Sequence, residues 1–265
     1  MKPLMLSESF DYKLPEEKEK SGYVEKKFDE IAKKYDLFND LITFGMHRYW
    51  KKFVAKKTGL APGEKCLDLC TGTGDIGRAV LKFQPQASVT ALDFSSEMLA
   101  LARENQKKSH DTLSYLRGDA MAPPFPENHF DAVTVGYGLR NVSDLRNCLK
   151  ITHSILKTSG VLISLDVGKV RLPVIEELNQ FYFFKIVPLI GKWLMPGQEM
   201  FDYLPHSSLE YPDQENLKRI LLDVGFHQVD VFDFVFGAST VHVAYKAEKT
   251  EGMMRVAIDP IIGFS

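Results

Sequence analysis

The sequence predicts an α/β fold whose mainly parallel sheet of seven strands ends in an antiparallel hairpin. Two observations carry this prediction. From residue 65 to residue 167, apolar strand-like segments alternate with amphipathic helix-like segments, which is typical of parallel strands covered by helices on both faces. Near the end of the chain, two further strand-like segments are separated only by Phe236 and Gly237, and this spacing indicates a hairpin.

The individual elements follow from periodicity, caps and turn residues. Strands are predicted at 65–70, 88–94, 113–119, 130–138, 160–167, 228–235 and 238–246, where apolar and β-branched residues are dense. Helices between and after them are predicted at 75–83, 95–107, 144–157 and 213–224. Ser95 is suited to cap the second of these helices, and Gly225 ends the last one.

The chain divides into three parts. Residues 1–21 are rich in charges of both signs and are predicted to be a loosely ordered tail, and residues 247–265 form a second tail without periodicity. Residues 22–246 form the folded domain. That domain begins with a helical lid over residues 22–57 and contains an apolar insertion at residues 173–201.

Composition narrows the classes of function. The 265 residues suffice for one domain with a buried core, and a net charge of −2 gives no general reason to bind nucleic acid. No uninterrupted apolar stretch of roughly 18 residues occurs, which argues against a spanning helix and for a cytoplasmic protein. The three cysteines are expected to be reduced thiols, and no metal site is predicted.

The turn after the first strand, residues 68–75, has the composition of a ligand-binding loop. Its glycines, Gly72 and Gly74, let the backbone approach a ligand closely, and the helix that follows favours an anionic group at its N-terminus. Cys70 stands where the usual spacing has its first glycine, so the three-glycine dinucleotide fingerprint is absent. With Asp68 beside it, the loop suits the methionyl part of S-adenosyl-L-methionine.

Acidic residues follow the next two strands. Asp93, with Phe94 beside it, ends the second strand, where a carboxylate can accept both hydroxyls of a ribose. Asp119, next to Ala120, follows the third strand and is placed to accept a hydrogen bond from the amino group of adenine. The loop at residues 136–142 ends the fourth strand and therefore faces the reactive end of the cofactor.

Four segments together resemble the ubiquinone/menaquinone biosynthesis C-methyltransferase family over roughly residues 24–246. They are YDLFNDLITFGMHRYWK (35–51), LDLCTGTGD (67–75), YGLRNV (137–142) and YLPHSSLEYPDQENLKRILLDVGF (203–226). The resemblance implies a class I S-adenosylmethionine-dependent methyltransferase fold, which is Rossmann-like. It also implies that Thr73, Asp93, Asp119, Ala120 and Gly136 contact the cofactor.

The resemblance further implies a reaction and a substrate. The methyl group would go to a ring carbon of a reduced polyprenyl quinone of the demethylmenaquinol type, with Tyr35, Arg140 and Asn141 beside that substrate. Our hypothesis is that Arg140, helped by Asn141 and Tyr35, stabilises the phenolate that develops, directly or through water. The chain departs from the family at residues 70–71 and after Asp166, which leaves the identity of the quinone open.

Several alternatives remain at this point. The substrate could be another hydrophobic small molecule, or the chain could be a non-catalytic cofactor-binding scaffold. An NAD-dependent oxidoreductase is disfavoured by the broken glycine fingerprint and the terminal hairpin. His47 and His206 are candidates for proton transfer, although a structural hydrogen bond is the commoner fate of such histidines.

The apolar insertion has two interpretations of equal weight. Its large side chains could form a channel for an isoprenoid tail and touch the bilayer at the inner membrane face, or they could pack in the core or in a homodimer. The residues concerned are Phe181, Tyr182, Phe183, Phe184, Trp193, Leu194 and Met195.

Overall fold

The computed structural model describes residues 17–107, 113–197 and 200–248. The helices are α1 (Glu17–Thr43), α2 (Met46–Lys57), α3 (Asp75–Phe83), α4 (Ser96–Lys107), α5 (Leu145–Ile155), α6 (Pro173–Phe181), α7 (Val187–Leu194), α8 (Met200–Glu210) and α9 (Gln214–Asp223). The strands are β1 (Lys65–Leu69), β2 (Ser88–Asp93), β3 (Ser114–Arg117), β4 (Phe130–Gly136), β5 (Leu156–Val167), β6 (Gln228–Phe234) and β7 (Ser239–Tyr245).

The predicted sheet is confirmed. Its seven strands have the order β3-β2-β1-β4-β5-β7-β6. Strands β1 to β5 are parallel to one another, whereas β7 is antiparallel to both β5 and β6. The last two strands are joined by a tight turn over Val235–Gly237, where Phe236 and Gly237 both have positive φ. The turn lies at the two residues from which the hairpin was predicted.

Caps explain where the helices begin. The Ser95 hydroxyl accepts the Met98 amide at 3.0 Å, as expected of an N-cap. Asp144 and Asp213 cap α5 and α9 in the same way, each by accepting an amide three residues further along the chain. Helix α3 spans Asp75–Phe83, the range that periodicity predicted.

Two predicted boundaries are wrong. Helix α1 begins at Glu17, so residues 17–21 are helical rather than part of a loose tail. Strand β5 begins at Leu156, inside the segment predicted as the preceding helix, because a bulge accommodates the polar residues 157–160. The remaining predicted tail residues, 1–16 and 249–265, lie outside the described residues.

Apolar clusters cover both faces of the sheet. One joins α2 and α3 to β1, β4, β5 and β7, and the other packs α5 and α9 on the opposite face. A third cluster joins α1, α7 and α8 through buried side chains such as Phe38, Phe201 and Tyr203. Full burial of each large side chain stabilises the fold by about 1.5–3 kcal/mol. None of the described helices is both long and apolar enough to cross a membrane.

Candidate cofactor and substrate site

Two adjoining cavities lie at the carboxyl ends of β1, β2, β3 and β4. The first is lined by Phe28, Tyr35, Lys51, Asp68, Cys70, Thr71, Gly72, Thr73, Asp75, Ile76, Asp93, Phe94, Met98, Gly136, Tyr137, Gly138 and Asn141. The second is lined by Val24, Cys70, Leu92, Asp93, Phe94, Gly118, Asp119, Ala120, Met121, Gly138, Asn141, Val142 and Ser143. Five residues belong to both walls, so the cavities form one site.

The glycine-containing loop between β1 and α3 forms the floor of the first cavity. Gly72 and Gly74 have φ of 55° and 82°, which glycine adopts without steric cost. Cys70 has φ of 54° although it carries a side chain, so the loop keeps the left-handed conformation at this position without a glycine. Of the predicted loop residues, Gly72 and Thr73 line the first cavity, whereas Gly74 lines neither cavity and precedes α3.

Asp68 lies beneath this loop rather than openly in the cavity. It is 1% exposed, and its carboxylate accepts the Thr71 hydroxyl, the Thr134 hydroxyl at 2.8 Å and the Gly77 amide at 3.0 Å. Burial raises the pKa of Asp68, although these hydrogen bonds oppose the shift. Since most of its acceptor positions are used within the protein, Asp68 serves mainly to hold the loop.

Asp93 faces both cavities from the end of β2. Its Oδ2 accepts the Gly72 amide at 2.7 Å and its Oδ1 accepts the Ser95 amide at 2.9 Å. Burial raises the pKa of Asp93 to about 6, so the carboxylate is charged at neutral pH. Remaining lone pairs are available to ribose hydroxyls, and the ring of Phe94 forms the adjacent wall.

The second cavity contains the two residues that were predicted to lie beside the adenine, Asp119 and Ala120. Asp119 is exposed at its rim and accepts the Met121 amide at 2.9 Å, whereas Ala120 is buried in its wall. Because β1, β2 and β3 are neighbours in the sheet, the loop, Asp93 and Asp119 follow one another across the site. This order matches the methionyl, ribose and adenine parts of the cofactor.

Gly136, the last residue of β4, and Gly138 after it pack closely against neighbouring side chains. A Cβ atom at Gly136 would lie 2.5 Å from Cδ1 of Ile76, and one at Gly138 would lie 2.5 Å from Cβ of Cys70. The wall is therefore made of backbone at these two positions. Together with the buried carboxylate of Asp93, this backbone wall fits an adenosyl cofactor.

Helix α1 covers the site. Val24, Phe28 and Tyr35 recur on one of its faces and line the two cavities. Polar contacts hold the helix down at the ends of successive strands. The Thr73 hydroxyl donates to Asp36 at 3.0 Å, the Ser95 hydroxyl donates to Asp29, and Arg117 pairs with Glu25 at 2.9 Å.

The structure brings Tyr35 and Asn141 to the first cavity but does not bring Arg140 there. Arg140 is buried, and its Nη1 lies 2.6 Å from Oδ1 of the equally buried Asp166 at the end of β5. Asp166 outweighs the effect of burial and raises the pKa of Arg140. Asp166 therefore holds the Arg140 guanidinium outside both cavity walls, and the role of Arg140 in stabilising the phenolate, directly or through water, stays a prediction.

Asn141 is oriented by two hydrogen bonds. Its Nδ2 donates to the Tyr137 carbonyl at 3.1 Å, and its Oδ1 accepts the Tyr203 hydroxyl at 3.1 Å. An amide has two N–H groups and two lone pairs on oxygen, so one of each remains for a ligand. The partner Tyr203 comes from α8, in the segment that the family resemblance included.

The histidines lie outside both cavities. His47 is 2% exposed and its Nε2 lies 2.8 Å from Oδ1 of Asp40, next to Arg48. Burial lowers the pKa of His47 despite this carboxylate. His206 packs edge-on against Phe184. These positions indicate structural roles for His47 and His206.

Sequence reasoning missed two charged residues of this region, Asp166 and Lys51. Asp166 is a charged residue near the end of an otherwise apolar strand, and a charge in such a position indicates a buried partner. Lys51 lies within the YDLFNDLITFGMHRYWK segment, and its side chain enters the first cavity. The prediction of no metal site remains untested, although the described residues contain no cluster of potential metal ligands.

The apolar insertion divides between core and surface. Phe184 and Met195 are buried, and Tyr182, Phe183 and Leu194 are partly buried. Phe181 and Trp193, in contrast, are 60% and 77% exposed. The insertion therefore supplies both core side chains and exposed apolar side chains.

Comparison with known proteins agrees with this geometry. Residues 16–246 match the model of the ubiE/COQ5 methyltransferase family. A demethylmenaquinone methyltransferase of Leptospira interrogans is 43% identical over 90% of this chain and 99% of its own. One of Staphylococcus aureus is 38% identical over 86% and 95%. The ubiquinone/menaquinone biosynthesis C-methyltransferase UbiE of Shewanella sediminis is 37% identical over 91% and 97%.

Solved structures share the fold. A SAM-dependent methyltransferase from Aquifex aeolicus superposes with a TM-score of 0.53 at 21% identity, covering 73% of this chain and 88% of its own. The [4+2]-cyclase SpnF superposes with a TM-score of 0.61 at 16% identity, covering 84% and 95%. The chain belongs to the ubiE/COQ5 methyltransferase family and is an enzyme that uses S-adenosyl-L-methionine as its methyl donor.

Proposed function

We propose that this enzyme methylates a ring carbon of a reduced polyprenyl quinone precursor of the demethylmenaquinol type. The observation that carries this proposal is the 43% identity, over 90% of the chain, to a relative named demethylmenaquinone methyltransferase. The retained cofactor site and the polar groups beside it support catalysis rather than a scaffold role.

The reaction requires a nucleophilic ring carbon. A hydroquinone carbon becomes nucleophilic when the neighbouring phenol loses its proton, and the product ring later loses the hydrogen that the methyl group replaces. When bound, the cofactor supplies an electrophilic methyl group on a positively charged sulfur. The protein must orient the ring, exclude water and stabilise the negative oxygen.

Asn141 is suited to stabilise that oxygen. Its orientation is fixed by Tyr137 and Tyr203, and its remaining N–H group is available to a phenolate at the wall shared by the two cavities. Tyr35 approaches from α1 on another wall, where its ring packs against Phe28 at 5.7 Å. The aromatic wall around Tyr35 helps to exclude water.

Arg140 is assigned a positioning role in this proposal. Its ion pair with Asp166 anchors the short 3₁₀ turn Leu139–Asn141 to the end of β5. The anchored turn then presents Asn141 to the cavity. Arg140 thus acts through Asn141 rather than by touching the substrate.

A methyl-transfer assay tests the function. Reduced demethylmenaquinone and a demethoxy-methylbenzoquinol are incubated with the enzyme and cofactor, and products are identified by mass. We expect methylation of the demethylmenaquinol, and a roughly 100-fold lower rate for Asn141→Ala. Asn147→Ala, at an exposed site on α5, is the matched control and should keep the rate.

Other outcomes would contradict the proposal. Methylation of unrelated apolar phenols but of neither quinol would favour another hydrophobic substrate. Cofactor binding without turnover of any acceptor would favour the scaffold. A normal rate for Asn141→Ala would remove that residue from the mechanism.

We further propose that one surface of the insertion contacts a lipid bilayer, where a polyprenyl quinol resides. This apolar surface comprises Leu178, Phe181, Leu189 and Trp193, together with Phe44 at the end of α1, and each of these residues is at least 60% exposed. The Tyr182 hydroxyl donates to the Ile42 carbonyl at 2.8 Å and joins the two segments.

Charge favours a bilayer as the occupant of this surface. Lys185 and Lys192 are exposed on α7 and the turn of helix before it, among the apolar residues. Apolar side chains flanked by lysines are typical of segments that lie in the interface of anionic membranes.

Flotation with anionic liposomes tests the bilayer contact. Phe181→Ser/Trp193→Ser should lose binding, whereas Phe83→Ser/Leu222→Ser, an exposed apolar pair on α3 and α9, should retain it. A dimer that dissociates in the first variant, with liposome binding unchanged, would show that the surface is a homodimer interface instead.

A further inference from the structure

Lys51 is a cation in a cavity wall that is otherwise acidic. It lies on α2, and its side chain is 13% exposed. The carboxylates of Asp75 and Asp93 line the same cavity, and that of Asp68 lies beneath its floor. Among the described residues, no other lysine or arginine lines either cavity.

The hydrogen bond to Asp75 uses only part of the donor capacity of the Lys51 ammonium group. Its Nζ donates to Oδ2 of Asp75 at 2.8 Å, and Asp75 is also paired with Arg78. An ammonium carries three N–H groups, and Asp75 is the acceptor that the described residues provide. Burial opposes the charge on Lys51, but Asp75 outweighs it and raises the pKa of Lys51, so the group is charged at neutral pH.

The sheet order places Lys51 on the side of the site away from the adenosine contacts. Asp93 and Asp119 follow β2 and β3, which lie on one side of β1. Helix α2 packs on α3 and beside β4 and β5, which lie on the other side of β1. A ligand with its ribose at Asp93 therefore extends toward Lys51 with its amino-acid part.

We propose that Lys51 binds the α-carboxylate of the methionine part of S-adenosyl-L-methionine. This inference rests on the cofactor assignment made above. A ligand carboxylate that enters a cavity lined by Asp75 and Asp93 needs a cation to compensate the repulsion, and Lys51 provides it with a charge-assisted hydrogen bond. Asp75 acts as a positioning residue, because it holds the ammonium in the wall.

Binding of ligand pairs that differ in the amino-acid part tests this assignment. S-adenosylhomocysteine carries the carboxylate, whereas 5′-methylthioadenosine keeps the adenosine and the sulfur but lacks the amino-acid part. By calorimetry on the full chain, Lys51→Met should weaken S-adenosylhomocysteine about 10- to 100-fold and leave 5′-methylthioadenosine within about threefold. Lys52→Met, an exposed lysine on the same helix, is the matched control and should change neither affinity.

The following results would contradict the proposal or the cofactor assignment on which it rests. Unchanged affinity of Lys51→Met for S-adenosylhomocysteine, or an equal loss for both ligands, would overturn the proposal. If methyl transfer fell while both affinities stayed normal, Lys51 would contact the acceptor instead, which also overturns it. Failure of the wild type to bind S-adenosylhomocysteine would contradict the cofactor assignment itself.

A second variant tests the proposal if Lys51→Met does not fold. Lys51→Arg keeps the charge, and we expect it to retain the preference for S-adenosylhomocysteine over 5′-methylthioadenosine. Asp75 would keep a cationic partner in either variant, since Arg78 remains. Loss of the preference in a folded Lys51→Arg variant would contradict a role based on charge.

Discussion

Asp93 combines a ligand-binding role with an unfavourable environment. It is 4% exposed, and the two backbone amides that it accepts only partly compensate for the loss of water. Burial consequently raises its pKa to about 6, above the ordinary value of an aspartate. The charge on which ribose binding depends is therefore lost within an accessible range of pH.

Cofactor affinity should follow the ionisation of Asp93. Above about pH 6 the carboxylate is charged and accepts ribose hydroxyls strongly, whereas protonation at lower pH removes the charge and weakens binding up to tenfold per unit. Calorimetric titration of S-adenosylhomocysteine across this range measures the effect. Asp93→Asn should bind more weakly and without this pH step, and a flat wild-type profile through pH 6 would contradict the assignment.

Gly138 and Cys70 are sterically coupled. Because a Cβ at Gly138 would lie 2.5 Å from Cβ of Cys70, Gly138→Ala should destabilise the protein by about 1–3 kcal/mol. Cys70→Gly removes the opposing atoms and also relieves the positive φ at that position. Urea unfolding of the two single variants and the double variant should reveal a favourable coupling, and strict additivity would argue against the contact.

The Arg140–Asp166 pair should matter mainly for stability and positioning. Removing one partner, as in Arg140→Met or Asp166→Asn, leaves an uncompensated buried charge or donor and should cost about 3–5 kcal/mol in urea unfolding. The double variant Arg140→Met/Asp166→Leu should recover part of that loss. If Arg140→Met were as stable as wild type but inactive, a direct role of Arg140 in catalysis would be favoured after all.

At the scale of elements, α1 is held to the site by side chains rather than by the sheet. Asp29 and Asp36 receive hydroxyl hydrogen bonds from the loops after β2 and β1. Desolvation and the nearby Asp75 raise the pKa of Asp36, whereas Lys51 and the Thr73 hydroxyl oppose this shift. Such contacts suit a helix that must move to admit a ligand.

Removal of these contacts should shorten the residence of the bound cofactor. In Asp29→Ala/Asp36→Ala we expect S-adenosylhomocysteine to dissociate roughly tenfold faster, because two hydrogen bonds that hold the lid are lost. Stopped-flow displacement measures the rate. Lys33→Ala, on an exposed part of the same helix, is the control, and equal rates for all three proteins would show that α1 does not gate the site.

The sequence located most elements because their signals are local. The caps of α4, α5 and α9 and the two residues of the hairpin turn act through neighbours in the chain. The start of β5 could not be found in this way. Residues 157–160 look like a turn, and only pairing of Leu156 with Phe130 across the sheet draws them into the strand.

At the scale of the whole molecule, some residues of the site could also be predicted from the sequence and others could not. Residues that follow parallel strands, such as Thr73, Asp93 and Asp119, could be assigned because the topology brings the carboxyl ends of those strands together. The burial of Arg140 could not be predicted, because it depends on Asp166 from a different part of the chain. Lys51 was missed for a similar reason, because the direction of its side chain depends on how α2 packs against α3 and the sheet.

The antiparallel arrangement of β7 also has a consequence for synthesis of the chain. β7 is the last strand described, yet it lies inside the sheet, where it pairs with β5 from Ser239 to Tyr245. While a nascent chain is still shorter than this, the apolar edge of β5 has no strand beside it. A chain interrupted before Ser239 would expose that edge, and we expect it to aggregate or be degraded even though every predicted cofactor ligand has already been made.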